Sequence, residues 1–480
     1  MPTLTAPAFR GAPGAAPSVR APVRDRALFV LGAISLLGLA ASSLTFVAIA
    51  AKAPSFLVPP SRSGFFALWM VGPLRGLWPG SGPSGVALGW TSSALLVAMY
   101  GLYAVACVTA RQLRARWTIA TVVAVHVIFL LAPPLSYTDV FNYLGYGRMG
   151  VLHHLNPYVA LPVSEPHTDP SFVLGNWHHL RSPYGPLFTL LTYALVPLGV
   201  PMSYWALKLL VGAASLAALA LIWKCAERLD RSPVSAVVFV ALNPIVLIWG
   251  LGADHNDSLM MLFVAVALYL VLCRGSAASR GWQAVALTTA VAIKASAGVL
   301  LPLFLFAGPR QRFLAGAGLA AAIIAAASLI AFGGHGPDLG TQSRLVTAIG
   351  IPNLIGVALG QGGETAPLHA IIDAVVALAV LAGAIRVFRR PDALVVACAV
   401  VLLLVVVSLS WAAPWYVWWV LPFAALAGRA RVRIAVLVLG AYFILAFMPA
   451  ALTLLGDVHF RPDLSPLGAR HTREINAVVR

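Results

Sequence analysis

Apolar stretches alternate with short polar loops from residue 28 to residue 455, and the arginines concentrate in every second loop. A helix rises 1.5 Å per residue and needs about 20 apolar residues to cross a hydrocarbon core of roughly 30 Å. The pattern therefore predicts a series of transmembrane helices. Residues 1–26 are rich in Pro, Ala and Gly, carry Arg10, Arg20, Arg24 and Arg26, and read as a disordered cytoplasmic N-terminus. The first apolar run, about 28–50, is longer than a signal-peptide core and has no clear small-residue cleavage site, so it is expected to remain as a helix.

The positive-inside rule then orients the chain. After a return along about 86–109, Arg111, Arg114 and Arg116 form a cytoplasmic loop, and a helix at about 117–133 delivers Asp139 to the outer face. Residues 187–196 lie between Pro186 and Pro197 and offer only half the length of a span, which predicts a short helix at the outer interface. The segment 203–223 then crosses inward to the loop holding Lys224, Arg228 and Arg231. Helix 233–251 returns outward, so His255-Asn256-Asp257 emerges on the same face as Asp139, although neither aspartate entered the assignment. The stretch 282–308 contains Lys294 and Pro302 and reads as two short helices bending near the outer face.

A span at 313–332, a second outer segment at 333–366 and helices near 367–388, 392–411, 415–427 and 432–455 complete the pattern. The expected architecture is an all-α polytopic membrane protein of about thirteen transmembrane helices over residues 27–456. Interfacial helices occupy a large outer loop at 134–202, and the basic tail 457–480 is placed outside.

Composition agrees with a membrane chain: 60% of residues are hydrophobic, 10% are charged, and the mean hydropathy is +0.89. The net charge of +17 would suit nucleic acid, but the arginines are spread through the loops as topology signals, which removes that partner. Cys107, Cys225, Cys273 and Cys398 form no CxxC pair, so neither a disulfide framework nor a zinc site is indicated. His153-His154 and His178-His179 share a loop with Glu165 and Asp169 but lack HxH or HxxxH spacing, and no metal or other cofactor is expected.

Only 15 residues are acidic, and Asp139 stands at a membrane boundary, where an ionisable group is costly to desolvate and marks a functional position. It is the candidate catalytic base; the plain alternative is a cap on the amphipathic helix expected from Val140 to His153. Asp257 divides in the same way between a cap and a substrate ligand. Lys294 and Lys208 are isolated cations in apolar segments, where snorkelling competes with phosphate binding, and Arg344 is a third candidate. Trp411, Trp415, Tyr416, Trp418 and Trp419 read first as an interfacial aromatic belt.

The outer loops carry Tyr137-Thr138-Asp139-Val140-Phe141-Asn142-Tyr143, Gly147-Arg148, Asn156-Pro157-Tyr158 and Ser182-Pro183-Tyr184-Gly185-Pro186-Leu187. Asn243-Pro244, His255-Asn256-Asp257 and Trp415-Tyr416 follow. In this order the motifs resemble the GT-C superfamily of membrane glycosyltransferases, and within it the actinobacterial polyprenol-phosphate-mannose-dependent α-1,6-mannosyltransferases. The resemblance implies a base at Asp139, a polyprenyl-phosphate sugar donor, a glycan or glycolipid acceptor and inversion at the sugar. The site would lie on the extracytoplasmic face of the cytoplasmic membrane.

The residue types suit that chemistry. A lipid-phosphate donor needs no nucleotide loop, only a base and cations for the departing phosphate. Tyr143, Asn156, Tyr158, Trp177, Tyr184, His255 and Asn256 can stack on and hydrogen-bond a hexose. The rivals are a secondary transporter, disfavoured by the lack of an internal repeat, and a related enzyme that uses arabinose or glucose.

Overall fold

A computed structural model describes residues 20–52, 55–58, 67–78, 80 and 82–479. Most of the expected disordered N-terminus, residues 1–19, lies outside the described residues, and from Arg20 the chain is already helical. Helix α1 (Arg20–Ala50) packs on α2 (Gly85–Thr109) and α3 (Ala115–Leu130). The loop after α3 leads to α4 (Asp139–Leu152), which packs on α5 (Pro186–Leu195). Then follow α6 (Gly199–Arg228), α7 (Pro233–Ala241), a π-helical turn (Val246–Gly252), α8 (Asp257–Tyr269) and α9 (Ala277–Ile293). The second half contains α10 (Arg310–Phe332), α11 (Ala366–Arg389), α12 (Leu394–Ser408), α13 (Val417–Leu426), α14 (Ala430–Phe447) and α15 (Pro466–Val479).

Among the described residues, eight helical stretches are long and apolar enough to cross a membrane, and nine if α7 and the π turn, bent by 65°, count as one. The expected total of about thirteen counted segments whose helices are shorter than a span. Helix α3 has 16 residues, the helical stretch Ala295–Leu305 is also short, and α13 has ten residues, all of them buried. A helix buried on every side belongs to the core, and Trp418 and Phe423 of α13 are among the largest fully buried side chains.

The Pro-bounded helix, expected to stand apart at the interface, instead continues into α6 as one of those eight stretches, Pro186–Arg228, with a distorted join. Eight residues of straight helix span about 12 Å, yet the Ser203 hydroxyl donates to the Leu195 carbonyl at 2.6 Å. The join between α5 and α6 is therefore not a straight helix, and Gly199 sits in it at φ +71°. Helix α4 differs from expectation in its surroundings. Residues Asp139 to Gly147 are all buried, because α5, α6 and the loop back from residue 153 cover it, so it is no platform with one exposed face.

Loops predicted to share a side meet one another. Arg111 and Arg231 line one cavity with Gly428 and Arg433, and Arg280 lines another with Arg310, Arg312 and Phe388. The segments assigned to the other side, around residues 139, 177, 255, 342 and 475, gather around a third cavity.

Candidate active site

The loop that presents Asp139 is tied down by backbone. Leu135 N–H donates to the Gly252 carbonyl (3.1 Å) and Ser136 N–H to that of Leu57 (2.6 Å). At the end of α3 the freed Ala132 carbonyl accepts from Lys208 Nζ at 2.6 Å and from the Tyr204 hydroxyl at 3.2 Å. Thr138 is the N-cap of α4 and makes no side-chain cap bond, so Asp139 is the first helical residue. A carboxylate there is favoured by the positive end of the helix dipole. Among the described residues no hydrogen bond reaches it, and the capping alternative is not the role it plays.

Facing it is His255, whose Nε2 lies 3.7 Å from Asp139 Oδ2. The His255 Nδ1 contacts the Trp249 carbonyl, and its ring stacks on Trp415 with centroids 3.7 Å apart. An imidazole nitrogen facing a carbonyl must carry the proton, so Nε2 is the position turned toward Asp139. Next to it, Lys294 Nζ binds both Asp257 oxygens at 2.9 and 2.8 Å, and the Trp419 indole N–H donates to the same carboxylate. The ammonium also sits over the rings of Tyr416 (5.0 Å) and Trp419 (5.5 Å).

Lys294 reaches this place because α9 stops there: its backbone is extended (φ −150°, ψ 122°) and a 3-10 turn, Ala295–Leu300, follows. The Ile293 carbonyl at that break accepts from Gly185 N–H (3.1 Å). A Cβ on Gly185 would lie 2.2 Å from the Ala292 oxygen, so only glycine fits where the Ser182–Leu187 motif crosses α9. Gly147 does the same for α4, where a Cβ would meet the Thr192 carbonyl at 2.7 Å on α5.

Together these groups open into a cavity of about 190 Å³, lined by Asp139, His255 and Lys294 and walled by Tyr143, Trp177, Tyr184 and Trp415. Gln342 and Leu345 close one side, and Ile475 and Val479 of α15 close the top. The Val478 carbonyl accepts from His179 N–H at 3.0 Å, which fastens the C-terminal helix to the large loop.

Of the sequence-predicted residues, Asp139, Tyr143, Trp177, Tyr184, His255 and Lys294 meet in this cavity, with Asp257 bound behind Lys294. Five others lie elsewhere. Lys208 is buried on α6 and its ammonium is bound to Ala132. Asn156 binds the Phe332 carbonyl and the Tyr158 N–H, while the Tyr158 hydroxyl contacts Tyr184 O and Thr189, so both hold the loop together. Asn256 is fully buried outside the lining, and Arg344 lines a neighbouring groove with Glu364, His369 and Arg470.

The aromatic belt is also placed differently, since Trp415, Tyr416, Trp418 and Trp419 are buried in the core. Gln342, Ile475 and Val479 were not foreseen as lining; the charged neighbours Arg344, Arg470 and Glu474 line the adjoining groove instead.

The other acids of the large loop are engaged or sequestered. Asp169 accepts from Arg148, His153 and Ser171. Burial acts to raise its carboxyl, but those bonds outweigh it and hold the group well below the usual carboxylate range. Glu165 is buried beside α4, and desolvation, then the charge of Asp169, pushes it up to about 8.

Fold and site define a polytopic helical membrane protein with an acid, an imidazole and an ammonium in an aromatic-walled cavity beneath extramembrane loops. Residues 30–308 match the family model described as Alpha-(1->6)-mannopyranosyltransferase, N-terminal domain, and residues 346–462 match the MptB C-terminal domain. The chain belongs to the alpha-(1->6)-mannopyranosyltransferase family. It is 29% identical over 352 residues to Alpha-(1->6)-mannopyranosyltransferase A of Mycobacterium tuberculosis, covering 67% of each chain. It is also 29% identical over 195 residues to the enzyme of the same name from Corynebacterium glutamicum, covering 39% of this chain and 38% of that one. No solved structure gives a significant match.

Proposed function

We propose that this protein transfers mannose from a polyprenyl-phosphate donor to a hydroxyl of a glycan or glycolipid acceptor, at the outer face of the cytoplasmic membrane, with Asp139 as the base. The observation that carries the reading is the state of the acids. Asp257 is bound by Lys294 and Trp419, Asp169 by Arg148, His153 and Ser171, and Glu165 and Asp254 lie outside the cavity lining. Asp139 faces the cavity with its carboxylate uncommitted.

In this reaction the acceptor hydroxyl oxygen attacks the anomeric carbon of the donor, the carbon–oxygen bond to phosphate breaks, and Asp139 takes the hydroxyl proton. Polyprenyl phosphate leaves with the bonding electrons. Lys294, held over Tyr416 and Trp419 at the cavity wall, is the cation available to that phosphate, and its partner Asp257 fixes it there. A single direct displacement inverts the sugar, so a β-linked donor yields an α-mannoside. The names of the relatives support mannose and an α-1,6 linkage.

The test is incubation of the purified protein with polyprenyl-phosphate mannose, glucose and arabinose and a membrane glycan acceptor. Transfer of mannose alone supports the reading, and preferential transfer of arabinose or glucose overturns the sugar assignment.

A further inference from the structure

Helix α9 has 17 residues and is about 25 Å long. One end carries Lys294 at the candidate active site, and Arg280 near the other opens a separate cavity of about 510 Å³. Arg310, Arg312, Phe306, Gly308 and Phe388 complete its lining. The Arg280 guanidinium is spent on structure: it donates to Gln283 and to the carbonyls of Phe304, Leu305 and Pro309, closing the end of the short helix Leu301–Leu305. Its charge stays in place. Arg310 rests against the rings of Phe306 and Phe388 at 5.9 and 5.8 Å.

Among the described residues none of these three arginines has an ion-pair partner, and Asp392, beside the lining Pro391, is exposed and pairs with none of them. Three positive charges therefore surround one cavity without a counter-ion. The surfaces running away from it are apolar. Leu314, Leu319 and Ile323 on α10 and Leu381 and Ile385 on α11 are exposed, and these two helices are the least covered of the candidate spans, at 11% and 17% buried.

We propose that this cavity seats an anionic phospholipid, its phosphate between Arg310 and Arg312 and its acyl chains along the exposed faces of α10 and α11. A guanidinium offers a planar pair of donors to phosphate oxygens, and basic pockets between membrane helices recognise anionic headgroups. The apolar flanks select a lipid over a free phosphate ion, which would use the arginines alone.

The experiment is thermal unfolding of delipidated full-length protein in neutral detergent, titrated with phosphatidylglycerol, phosphatidylcholine or inorganic phosphate. Phosphatidylglycerol should raise the midpoint while the other two do not. The exposed pair changed together, Arg310→Gln with Arg312→Gln, should need about thirtyfold more phosphatidylglycerol for half the effect. Arg116→Gln, at the start of α3 beside another basic loop, should leave the titration unchanged. An equal effect of phosphatidylcholine, an equal effect of inorganic phosphate, or an unchanged titration in the double variant would overturn the proposal.

Discussion

Asp139 Oδ2 and His255 Nε2 stand 3.7 Å apart at the cavity wall, too far to share a hydrogen bond directly and close enough for one hydroxyl on the cavity side to reach both. Each is held from behind, Asp139 by the start of α4 and His255 by the Trp249 carbonyl and the face of Trp415. A sugar hydroxyl entering there would meet an acceptor with no other partner, as a base requires. Asp139→Asn should keep the fold and donor binding and lose transfer by about a hundred- to ten-thousand-fold. Because the carboxylate makes no cap bond, Asp139→Ala should also stay folded. Near-normal turnover of purified Asp139→Asn would remove the base assignment.

The Lys294–Asp257 pair makes a second prediction. The Asp257 side chain is 1% exposed, so Lys294→Met strands a buried carboxylate, and breaking one side of such a pair costs about 3–5 kcal/mol. The single variant should therefore be less stable, and adding Asp257→Asn should recover most of that loss while transfer stays low. Recovery of full transfer in the double variant would show that the ammonium serves only the fold.

The arrangement of the loops gives a third. Residues around Thr168 and Ser343 belong to segments that meet at the cavity, and α15 is fastened to the first of them through His179. Single cysteines at exposed Thr168, Ser343 and Thr472, in a background without the four native ones, should all react with an impermeant thiol reagent on intact cells. One at exposed Asp392 should not. Opposite labelling of Thr168 and Thr472 would break the shared side.

How much of this was legible beforehand follows from the range of the interactions. Helix type, the presence of a break within 282–308 and the shared face of Asp139 and Asp257 are set by local apolar length, by Pro and Gly positions and by arginine spacing, whereas the placing of that break at Lys294 is not. Burial between helices has no such local signal. Trp415 and Trp419 look like belt residues until α13 is found to be too short to span and enclosed on all sides. Lys208 looks like a phosphate cation until the Ala132 carbonyl, 76 positions away, is found against its ammonium. The cover supplied by Ile475 and Val479 depends on where α15 comes to rest.

Glu165 supplies the last prediction. Burial and the neighbouring Asp169 charge push its carboxyl from an ordinary 4.5 up to about 8, so the folded protein holds a proton that the unfolded chain releases. A folded-state pKa above the unfolded one gives a contribution that is full below about 4.5 and is lost as the pH rises through about 8. Asp169 works in the opposite direction: its carboxyl is held low, so its contribution is present above the ordinary aspartate range and is lost in acid. Glu165→Gln keeps the shape and cannot ionise. It should match the wild type near pH 4.5, become progressively more stable than it up to about pH 8, and keep a constant advantage above that. Thermal midpoints of both proteins from pH 4.5 to 9 would decide the point, since parallel curves would mean that Glu165 is already ionised in the fold.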